Sequence, residues 1–158
     1  MALREIRIDG DEILTKTSKP VAVVDDKIKA LVDDLLETMY NAGGCGLAAV
    51  QVGVLRRVFV MDDSEENDNP IVVINPEVMG SRGKQEGQEA CLSVPGYAGD
   101  VVRPRFVNVK YLDREGSTVE TRFTDRLCII FHHELDHLNG ILYTERASDV
   151  YEVEKDEE

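Results

Sequence analysis

The sequence predicts an α+β domain in which small antiparallel or mixed β-sheets pack around a central helix, with another helix near the N-terminus. Three observations predict it. Apolar residues recur at helical spacing early in the chain, they do so again near its end, and short β-branched and aromatic runs fill the middle.

The first helix is read from Ile28, Leu31, Val32, Leu35, Leu36 and Met39, whose steps of three and four residues describe one apolar face. Asp25 or Asp26 is placed to cap its start, and Gly43 and Gly44 end it. Strand-like runs follow at Val58-Phe59-Val60-Met61 and Ile71-Val72-Val73-Ile74, the latter closed by Asn75-Pro76. Between them, residues 62–69 read as an acidic polar loop. Phe106, Val107, Val109 and Tyr111 open another extended run, with Asp113-Arg114-Glu115-Gly116 as its turn and residues 118–123 as the returning strand. The second helix is read from Leu127, Ile130, Phe131, Leu135 and Leu138, and Asn139-Gly140 stops it.

No repeat or linker divides the 158 residues, so residues 1–148 are expected to form one domain and residues 149–158 an acidic tail. Apolar residues at 42% and charged residues at 31% suit a soluble globular chain, expected as a monomer. No stretch approaches the ~20 apolar residues of a membrane span, and the start has neither the basic segment nor the apolar run of a secretory signal. The expected compartment is therefore the cytoplasm. A net charge of −13 repels phosphate backbones, so direct nucleic-acid binding is not expected. Three cysteines are an odd count without scaffold-like spacing; Cys45 and Cys128 read as small buried thiols.

The chemistry is carried by His133-Glu134-Leu135-Asp136-His137, inside the second helix. Successive helix residues turn by about 100°, so the two histidines stand about 40° apart on one face and can reach one divalent ion. Glu134 projects beside them, where its carboxylate can take a proton from an activated water without ligating the metal. His132 points elsewhere and reads as a packing or surface residue. Asp136 either orients a ligand or is solvated.

A catalytic site needs a third ligand and an open position. A metalloprotease would take that ligand downstream, but Tyr143 stands where one such signature has a third histidine, and otherwise only Glu145 and the acidic tail remain. Upstream, Cys91 in Glu89-Ala90-Cys91-Leu92-Ser93 offers a thiolate. A third segment, Gly44-Cys45-Gly46-Leu47-Ala48-Ala49-Val50-Gln51, is rich in small residues that permit close approach of a peptide backbone, although alone it also reads as a helix-ending turn. No lysine with serine or threonine follows these glycines, so it is not a phosphate loop.

Together, in this order, the three segments resemble the peptide deformylase signatures GxGxAAxQ, EGCLS and HExDH. The resemblance covers most of the chain, with departures at Ala90, usually glycine, at Val50, often proline, and at Ala98, where a basic side chain commonly helps to hold substrate. Arg103 or Arg105 is a candidate substitute. The resemblance implies one divalent cation on Cys91, His133 and His137, ferrous iron in many members with zinc or nickel as replacements. The ligand types alone would suit zinc. It also implies removal of formyl from N-formylmethionyl peptides of nascent chains. Glu134 serves as base, while the Gln51 side chain and the Leu92 backbone N–H stabilise the oxyanion. Gly44, Cys45, Gly46 and Glu89 fall on the substrate side, with Gly46 pairing to the peptide main chain. Ile129, four residues before His133, shares its helix face and with Ile130 would line a methionine pocket. Two other readings stay open: a small metalloprotease or aminopeptidase, and a non-catalytic paralogue that keeps the metal as a staple.

Overall fold

A computed structural model describes residues 2–153. Helix α1 (Asp26–Asn41) starts at Asp25, whose side chain accepts the Ile28 N–H at 3.0 Å, and buries Leu31, Val32, Leu35 and Met39. Five strands form one antiparallel sheet in the order β1 (Gly46–Ala48), β2 (Val58–Met61), β3 (Ile71–Arg82), β6 (Phe106–Leu112) and β7 (Thr118–Thr124). A second antiparallel sheet orders β4 (Gln85–Cys91), β5 (Val94–Arg103) and β8 (Asp149–Glu152). Helix α2 (Asp125–Leu138) lies between the two sheets. The α+β architecture read from the sequence is the one observed.

Alternation along β2 explains the layering. Every residue of β2 is buried; Phe59 and Met61 pack with Phe131, Ile130 and Leu138 of α2, whereas Val58 and Val60 pack with Leu31, Leu35 and Met39 of α1. The two helices thus cover opposite faces of the five-stranded sheet. A smaller cluster of Cys91, Val94, Val101, Leu142 and Tyr143 joins the second sheet to the chain beyond α2. Among the described residues no helix is long and apolar enough to cross a membrane.

Three departures from the sequence reading have physical causes. Strand β3 does not stop at Asn75-Pro76 but runs on to Arg82 through two register shifts. The missing Pro76 donor falls in the first irregularity, and Asn75, at φ 52°, clamps the main chain of Val21 through its amide, with both bonds at 2.8 Å. Strands β4 and β5 were not anticipated, because Gln85, Glu86, Gln88 and Glu89 give no apolar alternation; long-range pairing makes them strands. Residues 149–152, expected in the acidic tail, form β8. Their acidity resides in side chains while their backbone pairs with the β5 edge, and the Tyr151 hydroxyl donates to Asp100 at 3.1 Å. The rest of the expected tail, residues 154–158, lies outside the described residues.

Candidate metal centre and active site

Helix α2 and the end of β4 bring three donors together. The Cys91 Sγ and one ring nitrogen each from His133 and His137 lie within 4.8 Å of one another, and Cys91 Sγ is 3.3 Å from His137 Nε2. Cys91 is held at the tight β4–β5 turn, where it pairs with Val94 across Leu92 and Ser93. The histidines present their rings on one helix side, with centroids 5.1 Å apart. Donors about 2.0–2.3 Å from a single tetrahedral ion lie roughly 3.3–3.6 Å from each other, so a mixed nitrogen and sulfur set of this spacing fits a divalent cation.

Neighbouring side chains fix the donors. His133 Nδ1 stands 2.8 Å from Glu89 Oε1, which leaves Nε2 to face the cluster. Glu89 also receives two hydrogen bonds from Arg103, at 2.8 and 2.9 Å. Burial would raise its carboxyl, but the Arg103 and His133 bonds outweigh that and hold it at about 2. Glu89 was expected on the substrate side; although it borders the cleft, its oxygens are committed to Arg103 and His133. Burial, reinforced by the charges of His133 and Arg103, pushes His137 well below its ordinary value, towards the neutral form that can ligate.

Glu134 is 3% exposed, and its Oε1 has no protein hydrogen-bond partner. Burial lifts its carboxyl to about 7. The Gln51 amide is pinned on both sides: Oε1 accepts the Ala48 N–H at 2.9 Å, while Nε2 donates to Ser93 Oγ at 3.0 Å and faces Cys91 Sγ at 3.6 Å. Its donor end is therefore oriented towards the cysteine turn that carries Leu92.

These groups open on a cleft of about 600 Å³, within the usual range for small-ligand sites. One wall is Gly43, Gly44, Cys45 and Gly46; the opposite wall is Gln88, Glu89, Ala90, Cys91 and Leu92; Ile129, Ile130, His133 and Glu134 come from α2. The first wall leads into β1, an outer strand of one sheet, and the second is mostly β4, an outer strand of the other. The glycines let these walls close on each other, since a β-carbon on Gly44 would meet Leu92 Cδ1 at 2.7 Å.

Other sequence candidates sit elsewhere. His132 contacts the Cys128 carbonyl through Nδ1 at 2.9 Å, and the buried Cys128 thiol lies 3.2 Å from the Pro104 oxygen; both pack, as read. Arg103 and Arg105 do not take the substrate-holding place left by Ala98. Arg103 is buried against Glu89 and Asp136, Arg105 pairs with Asp125 at 3.3 Å, and Arg126 is the one lysine or arginine among the described cleft residues. Asp136 is buried and ion-paired rather than solvated. Sequence reasoning missed Ser93 as the partner of Gln51, although it stood in the quoted motif. It also missed the Arg103–Glu89 pair, for which the sequences of β4 and β5 gave no signal. The downstream protease ligands are otherwise engaged: Tyr143 stacks on His133 with centroids 5.8 Å apart, and Glu145 accepts the Leu142 N–H at 2.8 Å.

The chain is similar to known proteins over nearly its whole length. The Polypeptide deformylase family profile matches residues 3–152. A peptide deformylase of Lachnoclostridium phytofermentans is 53% identical over 154 residues, covering 97% of this chain and 94% of that protein. A crystal structure of peptide deformylase from Thermotoga maritima superposes with a TM-score of 0.90 at 38% identity, covering 94% of this chain and 100% of that one. The Ehrlichia chaffeensis peptide deformylase in complex with actinonin gives 0.90 at 39% identity, covering 94% of this chain and 90% of that one.

Proposed function

Because this chain belongs to the peptide deformylase family, we propose that its cleft hydrolyses the formyl amide of N-formylmethionyl peptides, with Glu134 as the base. The products are formate and a free amino terminus. The carrying observation is Glu134 Oε1, a buried carboxylate oxygen without a partner, on the same helix turn as two of three clustered metal donors.

Cys91, His133 and His137 would hold one divalent cation, and its chemistry there would be to lower the pKa of a water and to act as a Lewis acid towards the formyl carbonyl. The side chains then divide the work. Glu134 removes a proton from the attacking water and later returns it to the leaving amine. The Gln51 amide and the Leu92 N–H stabilise the negative charge that develops on the formyl oxygen, and Ala48 and Ser93 keep the amide from rotating. An extended peptide pairs with the β1 edge at Gly46, its main chain flanked by Gly44 and Cys45, and places its methionine against Ile129 and Ile130.

Ferrous iron is the cation we assign, with zinc or nickel as replacements. Purification without oxygen in the presence of iron then gives higher activity, and no gain would count against iron. The chain acts as a monomer in the cytoplasm, where formylated nascent chains arise; the free thiols Cys45, Cys91 and Cys128 suit a reducing compartment.

The deciding experiment is formate release from a formyl-Met tripeptide by wild type and Glu134→Gln, with actinonin as a competitor. General-base loss should slow release by about 10²–10⁴-fold. Equal rates from the two proteins would overturn the mechanism, and retained metal without formate release would favour a peptide-binding paralogue.

A further inference from the structure

We propose that Arg146, at the protein surface, is a positioning residue for the metal ligand His133, acting through Asp136, Arg103 and Glu89. The inference rests on the metal-site reading above.

The four side chains form an unbroken ionic chain. Arg146 donates to both Asp136 oxygens, from Nε at 2.6 Å and from an Nη at 3.0 Å. Arg103 bonds the same Asp136 at 2.7 Å and grips Glu89 with its two remaining nitrogens at 2.8 and 2.9 Å. Glu89 ends the chain 2.8 Å from His133 Nδ1. Burial deepens inward, from a 47% exposed Arg146 side chain to 4% for Arg103 and Glu89.

Charge balance assigns Arg146 its part. Arg103 serves two buried carboxylates, so without Arg146 the inner three residues would hold two negative charges against one positive. Buried charge of that kind is costly unless it is fully paired. Relieved of Arg146, Asp136 competes harder for the Arg103 guanidinium, and the fork that fixes Glu89 loosens. Glu89 in turn sets which nitrogen of His133 faces the metal. Arg146 also follows the short helical turn Tyr143–Glu145, and the Tyr143 ring stacks on His133 at an interplanar angle of 24°. The segment just after α2 therefore reaches the ligand along two routes.

The test is release of zinc from the zinc-loaded protein to a chromophoric chelator, with thermal unfolding of the metal-stripped protein run in parallel. Arg146→Met should speed release by about tenfold, the lower end of what losing an indirect ligand partner costs. Arg146→Lys, which keeps the charge but not the fork, should recover part of that. Combined with Glu89→Gln, Arg146→Met should add little further, because both act on one chain. A merely structural residue would lower the unfolding midpoint and leave zinc release unchanged, and that result overturns the proposal. Additive effects in the double variant also overturn it. A wild type that binds no zinc would sink the metal-site reading together with this inference, whereas bound zinc with equal release rates sinks only the inference.

Discussion

Gly46 and Glu134 stand so close that a β-carbon on the glycine would lie 2.5 Å from Glu134 Oε2 and 2.9 Å from its carboxyl carbon. The glycine thus sets where the Glu134 carboxylate, the proposed base, can be, as well as offering a backbone edge. Gly46→Ala meets the movable end of a side chain, so the strand stays paired and the carboxylate shifts. A displacement of about 1 Å at a catalytic group can cost up to ~100-fold in rate. We expect kcat for formate release to fall at least tenfold while the unfolding midpoint moves by only a few degrees. An unchanged kcat would show that the contact does not position the base.

Cys91 decides between upstream and downstream ligand sets. Its Sγ belongs to the donor cluster, while Tyr143 and Glu145 are engaged in packing and in a helix-start bond. Cys91→Ser should therefore lose bound metal and formate release together, as read by elemental analysis of the purified protein and by the activity assay. A serine variant with full metal content and rate would return the downstream alternative.

Donors on one helix turn were legible from their spacing and Cys91 from its motif, whereas the side chains that hold those donors were not. His133, Glu134 and His137 fall on one helix turn, so spacing alone places them side by side. The apolar faces of α1 and α2 were legible for the same reason. Glu89 shows the limit. Its partner Arg103 is 14 residues away, and the two meet only once β4 and β5 pair, in strands whose polar sequence hides them. The extension of β3 past Pro76 and the capture of residues 149–152 likewise depend on a neighbouring strand supplying the backbone partners.

Asp62 predicts an acid-sensitive clasp outside the active site. It is buried where β2 ends, and it accepts the Tyr40 hydroxyl at 2.7 Å, the Ser64 N–H at 2.8 Å and the Asn69 N–H at 3.1 Å. Burial pushes its carboxyl up, but the bonds from Ser64, Tyr40 and Asn69 prevail and hold it below the usual carboxylate value. With the folded pKa depressed, the stabilisation is fully present above the unfolded value of about 3.9 and disappears as pH falls through the lower folded value. Asp62→Asn should cost about 1–3 kcal/mol at neutral pH. The gap between variant and wild type in denaturant midpoints should narrow towards pH 3. A gap of constant size across that range would remove the ionised carboxylate from the account.

Ile129 and Ile130 are neighbours in sequence with different duties. Both border the cleft, but Ile130 is 5% exposed and packs in the α2 core, whereas Ile129 is half-buried and its Cδ1 would lie 3.1 Å from a β-carbon on Gly87. Ile129 therefore closes the cleft against β4, at the place proposed for the methionine side chain, and contributes little to the core. Ile130→Ala should lower stability by about 2–5 kcal/mol, as cavity-forming core truncations do. Ile129→Ala should leave most of the stability in place and lower kcat/KM for a formyl-Met peptide by roughly 10–200-fold, the range for lost apolar pocket contacts. The enlarged floor should also narrow the preference for formyl-Met over formyl-Phe, because the bulkier ring gains the space the isoleucine vacates. Competition between the two peptides measures this directly, and an unaltered ratio would place the methionine side chain elsewhere in the cleft.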